Sequence, residues 1–502
     1  MKIKSDISIG KILHNGSFVA VRFLIYTISG FVFVPFLISE FGSSEYGLIA
    51  LAGFLTQYIG MISDCIGSAV SRYLNLALNR GDSFESNEIY NTALMSNCLI
   101  VLINIPIFYY CLVNLDFFFE FNPVKEHDFL ILVTCNVLVF FIALLTGVFK
   151  TAIQASNRID ISAKIDITKI LIRLIVIFLG IKTIGAYLWI IGVVDLVLAM
   201  ATFVIYVSIS KKLAPQLKVD RSYVSKKWIK PVLNMSSWSL VAVLGFSLIT
   251  QTDTWILNRF VDAGVAGVFA ALLVWPNFVK QITKQIESVI APVLLIDYAR
   301  GNEVRFTEML SHSSRFLSSL GGIITGGLLV VSPLIINYWL PESEERYILL
   351  LQVMIFYLAY TLPESILWRY FLITNQMSLN GIISITAGIL NILLSVAFIK
   401  LGYGFLGVAL ATSISLIVKD AILVPFIIAR KTTIKYSKFV VDTIISSIMI
   451  GISFLMFNYI FNNHYDNISM LILLLLLAGL FLSSLIIIFN KRIFNVLIKK
   501  IT

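Results

Sequence analysis

The chain has 502 residues, of which 58% are hydrophobic and only 13% are charged, against about a quarter charged in an ordinary soluble domain. With a mean hydropathy of +0.92, it carries more apolar side chain than a water-soluble core can hide. This excludes a cytosolic enzyme and a disordered chain, and leaves a bilayer as the solvent. The formal net charge of +10 then reads as a topology signal rather than a nucleic-acid footprint.

The opening stretch, MKIKSDISIGKILHNGS, is too polar for a secretory leader and has no small-residue cleavage site, so the first span is expected to stay. Ile3, Ile7, Ile12 and Leu13 form at most a weak interfacial stripe. Apolar runs near the length of a spanning helix, about 20 residues, then follow at 17–39, 46–71, 92–114, 128–150, 165–182, 184–207, 233–257, 264–290, 314–338, 347–373, 378–400, 405–429, 439–461 and 468–489. These fourteen runs do not alternate in polarity, so they are helices and not barrel strands. The fifth and sixth are parted only by Lys182-Thr183. Pro35, Pro106, Pro276, Pro292, Pro333 and Pro363 fall within runs and are expected to kink some of them. The four cysteines, Cys65, Cys98, Cys111 and Cys135, all lie in apolar runs without a CxxC pair and read as buried free thiols.

With the N-terminus inside, 29 of the 38 Lys and Arg fall in cytoplasmic segments or at the cytoplasmic ends of the runs, and five in outer loops or at an outer run end: Lys125, Lys182, Arg259, Arg346 and Lys400. The linker holding Lys211, Lys212, Lys218, Arg221, Lys226, Lys227 and Lys230 supplies seven of them. The bias predicts an even number of spans with both termini in the cytoplasm. No connection exceeds 25 residues, and no GxxxxGK[ST] phosphate loop occurs, so neither a folded catalytic domain nor nucleotide hydrolysis is expected.

A repeat runs through the chain. FGSSEYGLIALAG and IGSAVSRYL align with FVDAGVAGVFAAL and IESVIAPVL, so that Phe41 matches Phe260, Gly47 matches Gly267, Ile66 matches Ile286, Ser68 matches Ser288 and Leu74 matches Leu294, at an offset of 219 or 220. Gly180 and Gly185 match Gly402 and Gly407 at 222. Six spans separate the copies, which predicts parallel lobes facing a central cavity. The expected organisation is an N-terminal lobe at 1–225 (spans 1–6), a C-terminal lobe at 226–431 (spans 7–12) and two additional helices at 432–502. The fold class is an all-α polytopic membrane protein.

GYGFLGVALATSIS, following a span that contains Asn391, together with PFLISEFGSSEYGLIALAG and QASNR, resembles the Wzx-type flippases of the multidrug/oligosaccharidyl-lipid/polysaccharide (MOP) exporter superfamily. The resemblance implies transport of an undecaprenyl-pyrophosphate-linked O-antigen or capsule repeat unit across the bacterial inner membrane. It also implies membrane lipid, a polysaccharide polymerase and a chain-length regulator as partners, with no nucleic acid and no cofactor beyond a proton or sodium gradient. Lipid II flippases of the same superfamily and multidrug exporters coupled to cation antiport are the alternatives.

Ionisable residues inside spans cost at least about 2.5 kcal/mol on insertion scales, so each is a candidate for function. Arg22 lies in the cytoplasmic third of span 1, either snorkelling or meeting a phosphate with its paired donors. Lys280, Lys284 and Glu287 share one face of span 8 within about 10 Å along the axis. Asn277, Gln281 and Gln285 widen that polar stripe. The bland alternative is a Lys284–Glu287 pair. Arg22, Lys280 and Lys284 are therefore the headgroup-binding candidates. Asp64, Asp195, Asp253, Glu287, Glu364 and Asp420 are the cation-coupling candidates. Asp195 has no partner nearby in sequence, and the adjacent Lys419 and Asp420 are expected to point in different directions. Glu364 and Arg369 are expected to pair with neighbouring helices, and Asp166, Lys169 and Arg173 to be interfacial. A multidrug cavity for cations would be acid-dominated, which the basic residues of spans 1 and 8 oppose. A membrane polymerase or ligase would want a long outer loop with paired Arg or His, and the four His are scattered.

Overall fold

In hydrocarbon no water satisfies a backbone amide, so each apolar run must close its own hydrogen bonds as a helix. The computed structural model describes residues 9–53, 80–155 and 158–464, with Val70, Tyr73, Leu74, Ala77, Leu78 and Gly479, and among these residues there is no strand. The principal helices are α1 (Ile9–Phe41), α2 (Ser83–Val113), α3 (Glu126–Ala155), α4 (Ile159–Ile184), α5 (Leu188–Leu213), α6 (Lys226–Thr250), α7 (Thr252–Phe260), α8 (Ala263–Leu272), α9 (Val274–Ala299) and α10 (Glu303–Leu334). They continue with α11 (Arg346–Phe356), α12 (Glu364–Ile373), α13 (Met377–Lys400), α14 (Gly404–Leu416), α15 (Val424–Lys431) and α16 (Tyr436–His464).

Ten helical stretches among the described residues are long and apolar enough to cross a membrane, or eleven when a bent pair counts as one span. That pair joins Arg346–Thr361 to Glu364–Ile373 at a bend of 46°, and Pro363 sits at the break, where its ring blocks a continuous ladder. The fifth run lies within α4, whose Lys164, Asp166, Lys169, Arg173 and Lys182 make it too charged to qualify by composition. α4 runs through Lys182 and Thr183 and stops at Gly185 (φ 118°), a backbone angle open to glycine, and α5 begins three residues later, so the two runs are separate helices and their break lies at Gly185–Tyr187 rather than at Lys182-Thr183. Most of the second run, and all of the fourteenth except Gly479, lie outside the described residues. Cys98, Cys111 and Cys135 are free thiols, as expected, but only Cys135 is buried, Cys98 and Cys111 being half-buried; Cys65 lies outside the described residues.

The chain divides into two compact units, Met1–Leu240 with Asp262–Ala270, and Val241–Val261 with Ala271–Thr502. In the first, α3 lies along α5, where Gly192 lets the α5 backbone approach Leu132 and Cys135. Asp128 of α3 accepts from the amides of Leu188 and Trp189 at 2.8 and 2.7 Å, placing an anion on the N-terminus of α5. Gly47 meets Gly267, its match in the repeat, backbone to backbone, and a Cβ on Gly267 would run into the Ser43 carbonyl.

In the second unit α10 packs along α16. Gly322 and Gly326 sit directly against Ser446, Ile450 and Ser453, and the hydroxyl of Ser453 donates to the Ile323 carbonyl at 2.9 Å. Such small-residue contacts suit a bilayer, where apolar side chains gain nothing from leaving lipid and close backbone approach carries the association. α6 crosses α13 the same way, Gly245 against Ser384 and Gly388 against Leu248. An apolar cluster of Leu294, Leu310, Ile366, Leu367 and Phe371 ties α9, α10 and α12 together.

Candidate functional site

The glycine crossing of α6 and α13 determines what happens one turn further along both helices. α6 ends at Thr250 and α7 restarts at Thr252. The amide of Asn391 on α13 fills this break, donating to the Ile249 carbonyl at 2.9 Å and to Asp253 Oδ1 at 3.0 Å. Thr412 of α14 donates its hydroxyl to Asp253 Oδ2. Ser395 donates to Asn391 Oδ1 at 3.2 Å. Asp253 is 1% exposed, Asn391 and Ser395 are fully buried and Thr412 nearly so. No cation lies within ion-pair distance of Asp253 among the described residues. A buried carboxylate with only neutral donors is costly as a bare anion.

Lys280 of α9 is half-buried in the same unit. Its ammonium stands over the rings of Phe246 and Tyr357, 5.7 and 5.1 Å from their centroids, and no carboxylate is within ion-pair distance among the described residues. Two aromatic faces contribute about 1–2 kcal/mol each to a partly desolvated cation. Lys284, one turn on, is exposed and makes no described ion pair. Glu287 does not pair with Lys284: it is buried against Arg369 of α12, in direct contact. The helix packing brings a guanidinium to it that the spacing along α9 does not reveal.

Three further charges of this unit form a second buried knot. Lys419 is 1% exposed and holds Asp420 Oδ1 at 2.6 Å and Glu364 Oε1 at 3.5 Å. The expectation that Lys419 and Asp420 diverge is wrong. Ile417–Leu423 is a π-helical turn, whose wider coil narrows the angle between successive side chains. Glu364 and Arg369 pair with neighbouring helices, as expected, through Lys419 and Glu287 respectively.

In the first unit, Arg22 is ion-paired with Asp166 at 2.9 Å and is neither a free cation nor a simple snorkel. Asp195 is not partnerless. Arg173 grips both its oxygens, at 2.6 and 2.9 Å, from the adjacent antiparallel helix α4. Asp166, Lys169 and Arg173 share one face of α4, with Lys169 half-buried between the two pairs and outside any described ion pair. Asp64 lies outside the described residues.

Sequence reasoning found Asp253, Lys280 and Glu287 but passed over Asn391, Ser395 and Thr412 as parts of a site. The available signal was modest: polar residues in the otherwise apolar runs 378–400 and 405–429.

No protein-family model matches the chain. The uncharacterized membrane protein EpsK of Bacillus subtilis (strain 168) is 26% identical over 413 residues, 80% of each chain. Among solved structures, the lipid II flippase MurJ in an inward closed conformation superposes with a TM-score of 0.70 at 17% identity, over 95% of this chain and 99% of that one. An inward-facing multidrug resistance MATE family transporter of the MOP superfamily gives 0.65 at 13% identity, over 86% and 95%. The chain is a polytopic all-α membrane protein with the fold of MOP-superfamily transporters and flippases.

Proposed function

We propose that the protein is a flippase that carries a lipid-linked oligosaccharide, an undecaprenyl-pyrophosphate-linked O-antigen or capsule repeat unit, from the cytoplasmic to the outer leaflet of the bacterial inner membrane. The observation that carries this reading is Lys280, a cation inside a span with aromatic neighbours and no carboxylate within ion-pair distance among the described residues. Such a group is expensive unless something anionic visits it, and a pyrophosphate is an anion that a lipid-tailed substrate brings to membrane depth. Lys284, one turn away, adds a second positive charge. Arg22, in the first unit, remains a headgroup candidate through its guanidinium donors, which Asp166 holds in this structure. The polyprenyl tail stays in lipid while the headgroup passes, and no covalent bond is made or broken.

Asp253, with Asn391 and Thr412, is the coupling element in this reading: a proton or sodium ion taken there neutralises the carboxylate and releases it when the gradient reverses the site's exposure. Glu287, Glu364 and Asp420 are bound in ion pairs and serve as structural counter-charges. Asp195 serves the same way against Arg173. A lipid II flippase is the second reading, favoured by the fit to MurJ. Both substrates carry a pyrophosphate on a polyprenyl tail and differ in the sugar.

The test is complementation of two bacterial strains, one lacking O-antigen export and one lacking lipid II export. Rescue of the first alone supports the proposal; rescue of the second alone selects lipid II. In the rescued strain Lys280→Ala and Arg22→Ala are expected to abolish surface polysaccharide while the protein remains in the membrane. Normal polysaccharide in both variants would overturn the cationic binding site.

A further inference from the structure

The first unit contains a cavity lined by none of the headgroup or coupling candidates. It encloses about 570 Å³ between the cytoplasmic ends of α2, α3 and α5, as the charge bias orients them, and the linker that follows α5. Its wall is apolar and aromatic, built from Tyr90, Phe149, Phe203 and Leu217, and Lys211 and Lys218 stand in it as the charged lining residues. The volume is in the range of ligand sites. Both lysines are exposed and outside any described ion pair.

The linker half of this wall is clamped in place. Asn87 of α2 donates to the Gln216 carbonyl at 2.9 Å and accepts from the Lys218 amide at 2.7 Å. Asn91, one turn on, donates to the Lys218 carbonyl at 2.8 Å and accepts from the Asp220 amide at 2.9 Å. Thr92 and Ser225 bond reciprocally, and Trp228 donates its indole N–H to Glu88 at 3.2 Å. Asp220 caps the turn Arg221–Tyr223 through the Ser222 amide, and this bond holds its carboxyl below the ordinary carboxylate range. Asn87 and Asn91 are buried. Two side-chain amides spent on one short linker fix the Lys218 backbone on both sides, so the basic rim is pre-formed.

We infer that this cavity binds an anionic phospholipid of the cytoplasmic leaflet, with an acyl chain against Phe149, Phe203 and Leu217 and the phosphate between Lys211 and Lys218. Charge complementarity selects this occupant. The same linker carries Lys212, Arg221, Lys226, Lys227 and Lys230, and a basic cluster at a helix end draws anionic lipid at about 1 kcal/mol per charge. An apolar wall behind two cations at the interface fits a molecule that is itself tail and phosphate. The inference is independent of the translocated substrate and rests on the charge bias that places the linker at the cytoplasmic face.

The experiment is native mass spectrometry of the full chain in detergent, titrated with phosphatidylglycerol, phosphatidylcholine and inorganic phosphate. Phosphatidylglycerol is expected to add one tightly held lipid, unchallenged by phosphatidylcholine or by excess phosphate. Lys211→Ala/Lys218→Ala should weaken that lipid at least about tenfold, Val207→Trp, which fills the cavity, should remove it, and Lys226→Ala/Lys230→Ala on the same linker should leave it. Equal loss in both lysine pairs would mean diffuse attraction to the linker and overturn the site. Displacement by inorganic phosphate, or binding undisturbed by Val207→Trp, would overturn the acyl-chain half of the inference.

Discussion

Asp253 shows how a single side chain acquires its role from neighbours far away in sequence: Asn391 and Thr412 are 138 and 159 residues on. In the proposed coupling role, a carboxylate held by an amide and a hydroxyl, with no cation in ion-pair distance among the described residues, takes a proton or small cation as its counter-charge. Asp253→Asn preserves shape and hydrogen bonds while removing that capacity. The expected result is a folded, membrane-inserted protein whose transport no longer responds to the ion gradient, measured as headgroup exposure in vesicles with and without an imposed gradient. Gradient-dependent transport in the Asn variant would exclude Asp253 as the coupling group. Glu287 and Arg369 behave differently because each satisfies the other. Arg369→Ala leaves an uncompensated buried anion and is expected to cost about 3–5 kcal/mol, whereas Glu287→Gln/Arg369→Gln should recover most of that loss. Thermal unfolding of the purified variants reads the difference, and equal destabilisation in both would show that packing rather than charge dominates there.

At the scale of elements, glycine positions decide where polar groups meet. Gly388 brings α13 against Leu248 and the Gly245 carbonyl, and Asn391 lies three residues further on, at the Ile249 carbonyl. Gly388→Val is therefore expected to lower stability by about 1–3 kcal/mol through overpacking and to abolish transport by withdrawing Asn391 from Asp253. Stability and transport measured on one preparation separate the two effects, and normal transport would sever the link between crossing and site. The π turn Ile417–Leu423 is the other local device. It sets Lys419 and Asp420 side by side, and no periodicity count on a regular helix predicts that pairing. Asp195 was unreadable for a related reason: its partner Arg173 is 22 residues away, and the antiparallel turn at Gly185 is what closes the distance.

At the scale of the whole molecule, the charge bias predicts that the N-terminus and the linker around Arg221 share the cytoplasmic side. Reporter fusions at those two places should both read cytoplasm, and opposite sides would undo the topology and the lipid inference together. The number and order of the helices were largely legible, because a spanning segment must be long and apolar whatever it packs against. All eleven runs whose helices qualify as spans, counting the bent pair as one, were visible as hydropathy alone. The candidate ionisable residues were visible too, because charge in a span is rare and expensive. Which of those charges are cancelled was not legible. Arg22, Asp195, Glu287, Glu364 and Asp420 all have partners on other helices or across a distorted turn, while Lys280 and Asp253 have no ion-pair partner among the described residues. Composition and periodicity alone determined the solvent, the secondary structure and the set of candidates, since each follows from what lipid demands of a backbone. The tertiary structure alone decided which charges stay uncompensated, because an ion pair depends on distances of a few ångströms between helices that the chain order does not encode.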